Sequence, residues 1–114
     1  MVANQSFEKQ FKHSISTGVS LVDFNAPWCK PCRAQEPIIK TLEKDYHGTA
    51  WVTTLNIDEN RDIALKLGIQ SIPTIIIYKD GREMNRFVGI QTTETLNHAL
   101  QDVIDQPTLL PPRR

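Results

Sequence analysis

The stretch from Val22 to Cys32, VDFNAPWCKPC, joins an apolar run to a pair of cysteines. The run itself, Val19 to Phe24, is short, rich in β-branched residues and almost wholly apolar, which is typical of a central strand buried on both faces. Asp23 is the exception within it. Beyond Pro27, apolar residues at helical spacing predict a helix from about Cys29 to Tyr46. They are Ile38, Ile39, Leu42 and Tyr46. The cysteines therefore lie at a strand-to-helix junction.

Helices and strands alternate along the rest of the chain. Phe7 and Phe11, at i and i+4, predict a short first helix with Ser6 as its N-cap. An Asp-Gly pair, Asp80 and Gly81, predicts a β-hairpin. The other predicted elements are strands at 51–57, 74–78 and 83–88 and helices at 61–67 and 93–104. This order predicts an α/β domain over residues 1–106 with helices on both faces of a mixed sheet, followed by a frayed tail at 107–114.

The composition excludes several classes of function. Thirteen Lys and Arg residues balance thirteen Asp and Glu residues, so no net charge favours nucleic acid or an anionic membrane as a partner. The N-terminal residues have no apolar run of signal-peptide length, and no run is long enough to span a membrane. We expect a cytoplasmic monomer, in a compartment where structural disulfides are rare.

Cys29 and Cys32 have the spacing of a redox-active dithiol. The positive end of the helix favours a thiolate on Cys29, which predicts a solvent-facing nucleophile, with a more sheltered Cys32 resolving the mixed disulfide. A zinc site would need about four ligands, but there is no second Cys-x-x-Cys motif, and the three histidines are widely spaced. Covalent haem attachment would need a histidine where Arg33 stands. An inert structural disulfide in an exported protein stays open as an alternative.

The motif VDFNAPWCKPC resembles the active-site segment of the thioredoxin family. Further similarities are Pro37, the sequence Asn56-Ile57-Asp58, the sequence Ile72-Pro73-Thr74, Gly81 and Gly89. The resemblance implies a thioredoxin fold, with a central five-stranded mixed sheet of order 1-3-2-4-5 and helices on both faces. It implies no cofactor beyond a redox-active disulfide between Cys29 and Cys32, and no metal.

The resemblance also suggests roles for residues outside the cysteine pair. It implies a cis peptide bond before Pro73 and substrate-binding positions at Trp28, Ile72, Pro73 and Gly89. Asp23 would transfer a proton to and from Cys32, and burial in an apolar strand should raise its pKa. The alternatives are an ordinary trans proline, a packing role for the tryptophan and a solvated aspartate at the end of a strand.

Three residues depart from the family pattern. Lys30 replaces a usual glycine and should, together with Pro31, tune the redox pair by favouring the thiolate, although a screened surface lysine would have little effect. Asn25 replaces a common tryptophan. Thr54 stands where a lysine often accompanies the buried aspartate. These departures affect partner choice and proton handling more than the fold.

The sequence therefore predicts a protein-disulfide reductase that is recharged by a separate enzyme such as thioredoxin reductase, because no nucleotide-binding motif is present. Its partners would be protein disulfides. One alternative is a partner-restricted or oxidising relative. Another is a binding or chaperone module that uses the fold without turnover.

Overall fold

The computed structural model describes residues 2–107, with the side chains of residues 7–107. Its elements are α1 (Val2–Ile15), β1 (Val19–Asn25), α2 (Lys30–Asp45), β2 (Trp51–Asn56), α3 (Arg61–Lys66), β3 (Thr74–Lys79), β4 (Arg82–Val88) and α4 (Thr93–Asp105). Each predicted helix and strand is present, and all but the first helix agree to within about two residues, the usual scatter at element ends. The tail was predicted at 107–114, and its residues 108–114 lie outside the described part of the chain.

The sheet among the described residues has four strands in the order β2-β1-β3-β4. β1 is parallel to β2 and antiparallel to β3, and β3 is antiparallel to β4. The prediction of a mixed sheet is confirmed, whereas the prediction of five strands is wrong. The N-terminal stretch that would supply the extra strand beside β2 is helical from Val2, and its residues 3–10 contain none of the β-branched residues that favour strands.

The first helix also begins earlier than predicted. Ser6 was expected to be its N-cap, but α1 starts at Val2, so Ser6 lies inside the helix. None of the residue types around Ser6 interrupts a helix; they are Asn4, Gln5, Glu8 and Lys9.

Helices cover both faces of the sheet. On one face, Leu21, Ile75 and Ile77 pack with the apolar stripes of α2 and α4. On the other, alternate residues of β1 and β3 pack with Phe11 of α1 and Ile63 of α3. The central strands β1 and β3 are thus buried on both sides, as the apolar run predicts. The buried central strand β1 leads directly into the cysteine motif.

The β3–β4 hairpin turns at Asp80 and Gly81. Both residues have positive φ angles, 51° and 85°, as a two-residue hairpin turn of the primed type requires. The predicted hairpin is confirmed. The turn also contacts the loop before β1, since the Asp80 backbone N–H donates to the carbonyl oxygen of Gly18 at 2.9 Å.

Candidate active site

Cys29 and Cys32 form a disulfide at the N-terminus of α2. Cys29 is the N-cap residue, and the backbone N–H of Cys32 donates to its Sγ at 3.2 Å. Pro31 lies in the first turn, where a missing N–H leaves no hydrogen bond unmade. A sulfur at this position faces the unpaired donors and the positive end of the helix.

The two cysteines are equally shielded from solvent in the disulfide form. Each is 4% exposed, so the prediction that Cys29 faces solvent while Cys32 is more sheltered is wrong for this state. Ala26 is buried with the pair, and Ile57 and Ile72 pack against the same cluster. The two isoleucines come from loops distant in sequence, and no local pattern around the cysteines reveals this shielding.

The loop before β3 brings backbone groups next to the disulfide. The peptide bond between Ile72 and Pro73 is cis, as the resemblance implies. The carbonyl oxygen of Ile72 lies 3.7 Å from Sγ of Cys29. The carbonyl oxygen of Pro73 accepts a hydrogen bond from the backbone N–H of Gly89 at 2.8 Å. Three of the predicted substrate-binding residues are therefore connected to one another and to Cys29.

Apolar side chains flank these groups at the surface. Trp28 is 67% exposed, and its indole Nε1 donates to Oδ2 of Asp58 at 2.9 Å. Val88 and Ile90, on either side of Gly89, are also large exposed apolar residues. The hydrogen bond to Asp58 leaves most of the indole accessible. This favours contact with a binding partner, rather than packing in the interior, as the role of Trp28.

Asp23 is fully buried in β1, on the face that Leu21 presents to α2. Neither of its carboxylate oxygens has a hydrogen-bond partner among residues 7–107. Burial raises the pKa of Asp23 from 3.8 to about 7; the nearby Asn25 side chain opposes this rise, without the geometry of a hydrogen bond, and the negative charge of Glu36 adds to it. The raised pKa expected for an apolar strand is confirmed, and the carboxyl can gain or lose a proton near neutral pH.

A cleft of about 360 Å³ adjoins Cys32. Its lining includes Cys32, Asn25, Glu36 and Thr54. Thr54 is the register partner of Asp23 across the β1–β2 pair, so the family's lysine position is occupied here by an uncharged side chain. Lys30, at the start of α2, is exposed to solvent between the two cysteines.

Sequence reasoning assigned no role to three residues around this site. Asp58 accepts a hydrogen bond from the indole of Trp28, Glu36 raises the pKa of the buried aspartate, and Gln35 binds the loop after β4. Gln35 had a visible signal, because it falls on the buried stripe of α2, four residues before Ile39. Asp58 was noted only as part of a family similarity, and the groups on which Asp58 and Glu36 act are distant from them in sequence.

Two kinds of feature are absent from the part of the chain that the structure describes. Within residues 2–107, no group of three or more His, Cys, Asp or Glu side chains is arranged to hold a metal ion. No helix in the same part of the chain is long and apolar enough to cross a membrane.

Comparison with known proteins places the chain in a family. The thioredoxin family pattern matches residues 1–102. The chain belongs to the thioredoxin family. A thioredoxin of Staphylococcus saprophyticus is 40% identical over 94 residues, which cover 82% of this chain and 90% of that protein. A thioredoxin of Staphylococcus haemolyticus is 42% identical over 93 residues, covering 82% and 89%.

Solved thioredoxin structures agree with this assignment. A mutant thioredoxin from Halobacterium salinarum superimposes with a TM-score of 0.73 at 31% identity, covering 86% of this chain and 82% of that one. The thioredoxin of Malassezia sympodialis gives a TM-score of 0.77 at 26% identity, covering 84% and 87%. With the Cys-x-x-Cys pair intact, this thioredoxin-family chain is a thiol-disulfide oxidoreductase that reduces protein disulfides.

Proposed function

We propose that Cys29 is the nucleophile, Cys32 the resolving cysteine and Asp23 the group that takes the proton from Cys32. The observation that carries this assignment is the backbone N–H of Cys32, which donates to Sγ of Cys29 at 3.2 Å. A donor at the start of a helix stabilises negative charge on sulfur. The same donor cannot serve the sulfur of Cys32, since it belongs to that residue's own backbone.

In the reduced protein, the Cys29 thiolate attacks one sulfur of a substrate disulfide. A mixed disulfide forms, and the other substrate sulfur leaves as a thiolate that takes a proton from water. Cys32 then loses its proton and attacks Sγ of Cys29, which releases the second substrate sulfur and forms the Cys29–Cys32 disulfide. Two electrons pass from the two cysteines to the substrate.

Asp23 is suited to receive the proton of Cys32. With a pKa of about 7, its carboxylate form is populated at neutral pH, and so is the protonated form to which the transfer leads. The cleft that Cys32 shares with Asn25 and Glu36 offers a polar route between this part of the site and solvent. Asp23 would act through water held in that region.

Protein substrates would bind as an extended segment beside Ile72. Its neighbour Pro73 directs its own carbonyl to Gly89, and the exposed Trp28 and Ile90, which adjoin Cys29 and Gly89 in sequence, offer apolar contacts. Backbone pairing gives affinity with little demand on sequence, and apolar contacts add to it. This supports a broad range of protein disulfides as substrates.

A separate reductase, of the thioredoxin reductase type, would restore the dithiol. Because the Cys29–Cys32 disulfide must be reduced in every cycle, the proposal places the protein in the cytoplasm, where thiols are kept reduced. We propose that it acts as a monomer, since the docking residues around Cys29 belong to a single chain.

The test is a trapping experiment with insulin as the protein disulfide. Cys32→Ser should accumulate a mixed disulfide through Cys29, because nothing resolves it, whereas the matched Cys29→Ser variant should accumulate none. Mass spectrometry of non-reduced peptides identifies the cysteine involved. An adduct through Cys32 in the Cys29→Ser protein would reverse the roles. The absence of any adduct, together with no insulin reduction by the unmodified protein, would point to a binding module without turnover.

A further inference from the structure

Gln35 is a fully buried glutamine on α2, one turn beyond Cys32. Its neighbours along the same helical stripe, Ile39 and Leu42, are apolar core residues. A buried amide needs hydrogen-bond partners to offset the loss of its hydration. Its presence at this position therefore calls for a specific partner.

The partner is the backbone of Gln91, in the loop between β4 and α4. Oε1 of Gln35 accepts from the backbone N–H of Gln91 at 2.7 Å, and Nε2 donates to the backbone carbonyl oxygen of Gln91 at 3.1 Å. Only one orientation of the amide makes both bonds, so the loop is held in both position and direction. An apolar residue at position 35 would leave both backbone groups without these bonds.

These bonds complete a ring of contacts around the disulfide. Gln91 lies two residues after Gly89, whose N–H donates to the carbonyl oxygen of Pro73. The carbonyl oxygen of Ile72 in turn lies 3.7 Å from Sγ of Cys29. The ring runs from Cys29 along α2 to Gln35, across to the loop, and back through the cis-proline segment.

We infer that Gln35 is a positioning residue, which holds the Gly89–Gln91 loop against α2 so that protein substrates meet a preformed docking edge beside Cys29. The loop carries the exposed Ile90 and the backbone of Gly89. Without the two hydrogen bonds the loop would have to become ordered on each binding event, which weakens binding and leaves the sulfur chemistry intact. The inference rests on the proposed docking of substrates beside Ile72 and Gly89.

The experiment compares the unmodified protein with Gln35→Met, which keeps the length of the side chain and removes its hydrogen bonds. With insulin as substrate, KM should rise by about three- to tenfold, the cost of ordering one or two extra groups on binding, while kcat stays the same. The rate with the small disulfide DTNB should not change, because that compound reaches Cys29 without needing the loop.

The matched control is Gln101→Met. This is the same chemical change on α4, at an exposed glutamine whose Nε2 donates to the Tyr46 hydroxyl at 3.2 Å. It should leave the insulin KM at the value of the unmodified protein. A similar rise in KM for both variants would show a general effect of lost stability and would overturn the inference.

A second readout does not depend on catalysis. Amide hydrogen exchange at Gln91 should be faster in Gln35→Met than in the unmodified protein, with exchange at the core residue Leu21 unchanged. Unchanged exchange at Gln91, or an equal loss of insulin and DTNB activity, would overturn the positioning role. If the unmodified protein did not reduce insulin, the proposed function would fail, whereas the exchange result would still decide whether Gln35 holds the loop.

Discussion

The backbone N–H of Cys32 donates to Sγ of Cys29 at 3.2 Å, although the two residues are equally buried. The asymmetry of the pair therefore lies in hydrogen bonding and not in exposure. Cys29 has a donor at the start of α2, and the carbonyl oxygen of Ile72 lies 3.7 Å from its Sγ. Exposure of Cys29 in the oxidised protein is not required for it to be the nucleophile.

Cys29 should react with iodoacetamide faster than Cys32 in the reduced protein. The thiolate is the reactive form, and the donors at the start of α2 favour it on Cys29, so we expect Cys29 to be labelled several times faster at neutral pH. Peptide mass spectrometry after short labelling times measures it. Equal rates, or faster labelling of Cys32, would contradict the assignment of roles.

Lys30→Gly should make the reduction potential more negative. Lys30 is exposed between the two cysteines and its positive charge favours the thiolate, hence the reduced form. The shift should be small, about 10 mV, because exposed charges interact weakly. Equilibration with glutathione measures the potential, and the exposed Lys44→Gly at the other end of α2 is the control. A move toward oxidising values would mean that position 30 acts through backbone geometry.

Local patterns were enough to predict most of the fold and the reactive pair. The apolar run before Asp23, the helical stripe ending at Tyr46 and the Asp80-Gly81 turn each depend on neighbouring residues, and each is present in the structure. The cis bond before Pro73 was implied only by family resemblance. The number of strands was implied in the same way and was wrong, because the composition of the first ten residues favours a helix.

What the sequence did not reveal depends on contacts between distant segments. The shielding of the cysteine pair comes in part from Ile72, which is 43 positions away from Cys29. Gln35 and Gln91 are 56 positions apart, and a polar residue on an apolar stripe does not by itself indicate its partner. Lys79 lies one residue beyond the predicted strand at 74–78, yet it ends β3 in the structure and its Nζ donates to the carbonyl oxygen of Val103 in the last turn of α4. No periodicity in the sequence reports such pairings.

Lys79→Met should destabilise the fold by about 2 kcal/mol, the scale for charged hydrogen bonds lost from a buried site. Lys79 is buried, and its Nζ donates to the carbonyl oxygen of Val103 at 2.9 Å and to that of Gln106. These oxygens lie at the end of α4, where a cation is favoured. Urea denaturation measures the loss.

The control for this variant is Lys66→Met. Lys66 is exposed and forms a surface ion pair with Glu8. Surface ion pairs contribute little to the stability of a fold, so this variant should be much less destabilised than Lys79→Met. Equal effects of the two substitutions would show that Lys79 does not stabilise the end of α4.

The stability of the protein should depend on pH through Asp23. Its folded pKa of about 7 lies above the ordinary value of 3.8 because burial disfavours the charged form. Below the unfolded pKa, the carboxyl is neutral in both states and its contribution to stability is fully present. As pH rises through the folded pKa, the charged form must be accommodated in the core and that contribution is lost.

Asp23→Asn should therefore raise the free energy of unfolding more at pH 8 than at pH 4, by about 2 to 4 kcal/mol, since the pKa rise corresponds to about three units. Insulin reduction should slow, because the amide cannot accept the proton of Cys32.

Glu36→Gln is the matched control, because it leaves the carboxyl of Asp23 in place and removes the negative charge that helps raise its pKa. The pKa of Asp23, followed by NMR of the carboxyl carbon, should therefore fall in this variant. Denaturation of the oxidised proteins at both pH values measures the effect on stability, and insulin assays measure the effect on proton transfer. An Asp23→Asn protein that is less stable at pH 8, or one with unchanged turnover, would mean that Cys32 loses its proton to another group.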